Sequence, residues 1–146
     1  MEDRYLFKAK RTDNGEWVEG YLVETRYNTY HDGYRIIDKD GINYDELDYY
    51  EPSFISYVID KTTICQCTGL KDKNGNLIWE NDIIERLDIH DIKEPSIGII
   101  EYDVENTSFL IHWTDIANYS PTFHWKNRIG VAGNIFDNPE LLEVSE

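Results

Sequence analysis

Two Asn-Gly pairs, Asn14-Gly15 and Asn74-Gly75, each lie between short runs rich in apolar residues. No other feature constrains the fold of this chain as strongly. Asparagine and glycine accept positive φ more readily than other residues, so such a pair reverses the chain at once and the flanking runs can pair as strands. Tyr5-Leu-Phe-Lys-Ala-Lys and Trp17-Val-Glu-Gly-Tyr-Leu-Val are thus predicted to form a hairpin across Thr12-Asp-Asn-Gly. Thr68-Gly-Leu and Leu77-Ile-Trp should form a second one, with Asn74 and Gly75 at the centre of its turn.

The rest of the chain continues in the same mode. Strands are predicted through Phe54 to Val58 and Ile59, at Ile64-Cys-Gln-Cys, and at Ile83-Ile-Glu-Arg-Leu after a tight turn at Glu80-Asn-Asp. In that turn Asn81 tolerates positive φ, and Asp82 is placed to accept hydrogen bonds from local backbone amides. Further strands follow at Ile97-Gly-Ile-Ile-Glu-Tyr-Asp and at Ser108-Phe-Leu-Ile-His-Trp, where Phe109, Ile111 and Trp113 share one face. Ile129-Gly-Val-Ala-Gly-Asn-Ile-Phe should bend at its glycines. In the tail, Asn138 can cap and Pro139 suits a first helical position, so a short C-terminal helix carrying Leu141 and Leu142 is expected. Residues 24–52 are harder. Tyr34-Arg-Ile-Ile reads as a strand and Asp38-Lys-Asp-Gly as a turn, while 43–50 fits a helical turn or a strand. We expect a variable, irregular insertion there. Short strands at close spacing predict a mainly β domain, barrel-like or a sandwich of short antiparallel strands. With no repeat or linker in view, residues 1–146 read as a single domain.

The formal charge of −15 narrows the partners. A surface this acidic repels phosphate backbones and anionic lipid headgroups, and no basic stripe offsets it, which argues against direct nucleic-acid binding. The apolar runs are too short to span a bilayer, and the charged start Met1-Glu-Asp-Arg does not resemble a signal peptide. A cytoplasmic protein is expected. Cys65 and Cys67, one residue apart on an extended segment, should share a face. Two cysteines without a second pair make no structural zinc site, so they read as small apolar core residues.

Several segments together resemble the YopX family of bacteriophage and prophage proteins. Cys65-Gln-Cys-Thr-Gly-Leu-Lys-Asp-Lys-Asn-Gly-Asn-Leu-Ile-Trp-Glu-Asn-Asp-Ile-Ile is similar to that family's central signature. Ile129-Gly-Val-Ala-Gly-Asn-Ile-Phe-Asp-Asn-Pro-Glu-Leu-Leu resembles its closing segment, and Phe7-Lys-Ala-Lys with Gly15-Glu-Trp-Val-Glu-Gly-Tyr its start. Cys67 stands where the family prefers an aromatic, and Asn81 where it prefers glycine. The likeness leaves out 24–52 and the stretch around 114–126. It implies a phage or prophage accessory protein, with no established enzymatic activity and no cofactor. The strand, tight turn and Asp-Ile-Ile arrangement is also similar to small SH3-like barrels.

No motif for catalysis stands out. His31, His90, His112 and His124 lack metal-binding spacing. The carboxylates invite a metal-dependent hydrolase reading, but a nuclease would need a basic channel for its substrate, and none is visible. The chain is therefore expected to bind rather than to catalyse, acting on a host or phage protein, with homo-oligomeric assembly as the alternative. Four tryptophans and eleven tyrosines exceed what one small core needs. Aromatic residues are enriched at interfaces. Tyr44, Tyr49, Tyr50 and Tyr57, with Phe123 and Trp125, are the candidate interaction surface. Asn74, Gly75, Asn81 and Asp82 are the candidate structural turns.

Overall fold

In a computed structural model, the fold is described for residues 2–26, 33–43, 53–88, 96–116 and 118–143. It is mainly β, and every strand pairing among these residues is antiparallel. The strands are β1 (Phe7–Lys10), β2 (Trp17–Thr25), β3 (Gly33–Asn43), β4 (Ser53–Val58), β5 (Cys65–Lys71), β6 (Leu77–Trp79), β7 (Asp82–Arg86), β8 (Ile97–Asp103), β9 (Ser108–Trp113), β10 (Asn118–Pro121) and β11 (Ile129–Asn134). A single-turn helix, α1 (Thr122–Trp125), precedes β11, and a 3-10 turn, Pro139–Leu142, follows it. The two sheets run β4-β3-β2-β1-β5-β6 and β10-β9-β8-β7-β11, and neither is a closed barrel.

The chain divides into two compact units, Asp3–Gln66 and Cys67–Glu146. In the first, Ala9 and Val18 face Ile36 and Ile59, and Phe7, Leu22, Tyr34, Tyr57 and Ile64 pack around them. Alternation on the strands produces this cluster: Phe7 and Ala9 share one face of β1, and Lys8 and Lys10 take the other. In the second unit, Ile78 of β6 meets Ile84, Ile100, Ile111, Trp113 and Ile129, with Leu70, Phe109, Trp125 and Val131 at the margin. Ile111 and Trp113 are fully buried on the face predicted for them. The hairpin β5–β6 thus covers the inner face of the five-stranded sheet, which is how a sheet with one apolar face is satisfied.

Cys65 and Cys67 are both buried and are not joined in a disulfide. The Cys65 thiol donates to the Thr63 carbonyl at 3.3 Å.

Several local expectations change. Asp38-Lys-Asp-Gly is no chain reversal. It lies inside β3, where the register with β4 shifts between Ile37 and Ile42. Asp38 Oδ1 accepts from the Asp40 amide at 2.9 Å, so the extra residues close on themselves and the strand continues as a bulge. The described part of 24–52 is therefore mostly strand, while 27–32 and 44–52 lie outside the described residues. The C-terminal helix is only the 3-10 turn Pro139–Leu142. Asn138 makes no side-chain cap there. Its Oδ1 accepts instead from the Asn134 amide at 3.2 Å. Neither β10 nor α1 was legible in the sequence, because Asn118-Tyr-Ser-Pro carries no apolar alternation and the helix is a single turn.

Candidate functional site

The central signature folds around one carboxylate. Asp72 closes β5 and is 5% exposed. Its Oδ1 accepts from the amides of Asn74 and Asn76, both at 2.9 Å, and its Oδ2 from the amide of Val131 at 2.8 Å. Burial by itself would raise the Asp72 pKa, but the amides of Val131, Asn76 and Asn74 outweigh it and hold the group below the usual carboxylate range. The Lys73 amide also donates to the Ile129 carbonyl at 3.0 Å. The turn is thereby clipped to β11 at two points. Gly75 takes φ +85°, and its amide donates to the Asp72 carbonyl at 3.1 Å. Asn74 does not share the left-handed conformation, so glycine alone makes the reversal.

The next turn works similarly. Asn81 has φ +69°, the conformation that favours glycine and, after it, asparagine. Asp82 is 2% exposed, and its Oδ2 accepts from the Trp79 amide at 2.8 Å. Asn81 also accepts, through its carbonyl, from the Ile135 amide at 3.1 Å, which ties this turn to the closing segment. There Asn134 Oδ1 accepts from the amides of Phe136 and Asp137. A Cβ on Gly133 would collide with the Asn138 side chain. The polar residues of both signatures thus serve as scaffold.

The candidate interaction residues separate. Tyr44, Tyr49 and Tyr50 lie outside the described residues. Tyr57 belongs to the first unit, half-buried against its core, with the Arg11 guanidinium 4.1 Å from its ring centre. Phe123 and Trp125 share α1 in the second unit but point differently. Phe123 is 58% exposed and leans on His124. Trp125 packs against the core edge-on to Trp113, at 5.1 Å between ring centres. The guanidiniums of Arg128 and Arg86 lie 4.1 and 4.9 Å from the Trp125 ring, and both pair with Asp88. The Arg128 hydrogen bond, reinforced by Arg86, holds the Asp88 carboxyl below its ordinary range. Trp125 is thus partly buried and held by the core and two arginines, while Phe123 is the more exposed of the pair.

The sequence reading missed an open hollow of about 490 Å³ at the free end of the β8–β9 hairpin. Leu110 and Tyr119 line it from the sheet, and Val104 from the hairpin turn. Glu101, Asp103 and Glu105 bring three carboxylates, and no lining residue is basic. The outer face of the sheet positions them: Glu101 is opposite Leu110 on β9, which is opposite Pro121 on β10. Beside the hollow, Glu101 Oε1 is hydrogen-bonded to His112 Nδ1 at 3.1 Å, and the His112 ring stacks on Tyr119 at 4.5 Å. Asp103 is held by the Asn106 side chain at 2.6 Å and the Glu105 amide at 3.1 Å, which lower its pKa in that order of bond type. The only sequence signal was the placement of Glu101 and Asp103 on the face opposite Ile100, and pairing with Tyr119 needed β10. Among the described residues, no three or more His, Cys, Asp or Glu side chains are grouped to hold a metal ion, and no helix is long and apolar enough to cross a membrane.

Comparison with curated proteins gives no match. Among solved structures, the crystal structure of protein EF1440 from Enterococcus faecalis is similar, with 26% identity and a TM-score of 0.55. The likeness covers 94% of this chain and 96% of that one. The family described as YopX protein matches residues 6–143, a span that includes the Asp72 clip, the Asn81-Asp82 turn and the Asn134-Asn138 closure. The chain belongs to the YopX family.

Proposed function

We propose that this chain is a phage or prophage accessory protein, a protein-binding module that docks a basic segment of a host or phage protein. The hollow at the β8–β9 hairpin carries this reading. Its three carboxylates attract a cationic side chain, and Val104, Leu110 and Tyr119 offer apolar contact to the aliphatic stem of a lysine or arginine. The net charge of −15 adds long-range attraction for a basic partner. Cytoplasmic residence in the bacterial host belongs to this reading, and no catalytic step does. The test is affinity capture from infected cells, with the wild-type chain beside a Glu105→Lys, Val104→Ser double variant of unchanged circular dichroism. A partner retained by the wild type, released by salt and lost by the variant supports the proposal. Equal retention by both chains refutes it.

A second reading, self-association, draws on the exposed apolar side chains Ile116, Tyr119 and Phe123, which follow one another closely in sequence around β10 and α1. Sedimentation of the pure chain tests it.

A further inference from the structure

The chain carries the dipeptide Asn-Gly twice, in two hairpin turns, and the fold treats the two copies differently. We propose that Asn14-Gly15 is a site of spontaneous deamidation and backbone isomerisation, and that Asn74-Gly75 is protected by the clip to β11. The reaction needs only water. The backbone nitrogen of Gly15 attacks Cγ of the Asn14 side chain, forming a C–N bond, losing its proton and expelling ammonia. Water then opens the resulting succinimide at either carbonyl, leaving aspartate or isoaspartate. Glycine on the C-terminal side leaves the attacking nitrogen unshielded, and the rate is then set by how readily the turn can rearrange.

At Asn14 little opposes rearrangement. Asn14, Gly15 and Glu16 are all exposed, as are Asn74, Gly75 and Asn76, and a Cβ on either glycine would meet nothing within 4 Å, so the two sites differ in their partners and not in exposure. The bonds of this dipeptide stay within its own turn. The Gly15 amide donates to the Arg11 carbonyl at 3.0 Å, and Asn14 exchanges hydrogen bonds with Glu16 at 2.9 and 3.2 Å. Exposed partners of this kind exchange for water at little net cost.

At Asn74 the same motion would strip donors from a buried carboxylate. The Asn74 amide donates to Asp72 Oδ1, the Gly75 amide to the Asp72 carbonyl, and Asp72 itself is buried. Bonds to a buried carboxylate are among the stronger ones, and stripping donors from it leaves a desolvated charge. The neighbouring Lys73 is tied to Ile129, and the Asn74 side chain lies on Gly130 of β11, so the turn has no independent freedom.

Folded chain is incubated at mildly alkaline pH. A parallel sample is kept unfolded in urea. Both are digested under acidic conditions, and each Asn-Gly peptide is scored by the mass change from amide to acid and by isoaspartyl methyltransferase labelling. The readout for each site is its folded rate divided by its unfolded rate, which cancels local sequence effects. We expect that ratio to be at least several-fold higher at Asn14 than at Asn74. Equal ratios, a higher ratio at Asn74, or an Asn14 that stays intact in folded protein while the unfolded chain converts would each overturn the proposal.

Discussion

Asp72 keeps its charge in a buried position because four N–H donors converge on it: the amides of Asn74, Asn76 and Val131, and the Asn76 side chain. Replacing it with alanine leaves those part-buried donors without their acceptor. Asp72→Ala should cost about 1–3 kcal/mol, the range for losing bonds to a charged acceptor and stranding part-buried donors, and urea denaturation measures it. The same contacts set an acid limit. Because the folded pKa lies below that of the unfolded chain, the stabilisation is complete above the unfolded value, about 4. It is lost as pH falls through the folded value. Asp72→Asn should therefore flatten the dependence of unfolding free energy on pH in the acid range, and an unchanged acid limb would refute the assignment. Cys65 and Cys67 are at most 1% exposed. A native chain should leave a thiol reagent unreacted until it unfolds, and rapid labelling of native protein would contradict their place in the interior.

At the scale of elements, the hairpins follow turn chemistry and the strands follow alternation. Gly75 at φ +85° is the hinge of β5–β6. Gly75→Val should destabilise by roughly 1 kcal/mol or more, because a β-branched side chain clashes in that conformation. Thermal melting checks it, and an unchanged midpoint would count against the hairpin. The end of β11 depends on packing as well. Gly133→Ala forces Asn138 aside and should cost about 1–3 kcal/mol, the range for overpacking at a tight contact. If its melting temperature equals that of the wild type, the closing turn is less rigid than its hydrogen bonds imply. Turn chemistry misled at one element only. Asp38-Lys-Asp-Gly has the residues of a reversal, yet pairing on both sides, with β2 and β4, carries β3 through it as a bulge.

Over the whole chain, the competition is between aromatic surface and charge. A net −15 resists self-association, while exposed apolar groups such as Tyr119 and Phe123 favour it. If burial of those groups drives assembly, association should strengthen as salt rises, because screening weakens repulsion and leaves the apolar contact. Capture of a basic partner at the β8–β9 hairpin should show the opposite trend, weakening with salt. Sedimentation across a salt series separates the two, and a monomer at every ionic strength and high concentration would end the self-association reading.

The sequence by itself determined the mainly β character, both Asn-Gly hairpins, the inward face of Ile111 and Trp113, and the membership in a family. Each of these rests on residues that are neighbours in the chain, or on patterns of period two, and such information is local. Tertiary structure alone decided the rest. Asp72 reads as an ordinary turn aspartate until Val131, which follows it by 59 residues, is brought to its Oδ2. The packing of Trp125 on the core edge, with two arginines against its ring, is likewise not legible in the sequence. The acidic hollow does not exist until β10 sets Tyr119 beside the carboxylates of β8 and its hairpin turn. Each of these roles depends on contacts between strands distant in sequence, where burial and hydrogen-bond partners are set by packing and not by the residue's own preference.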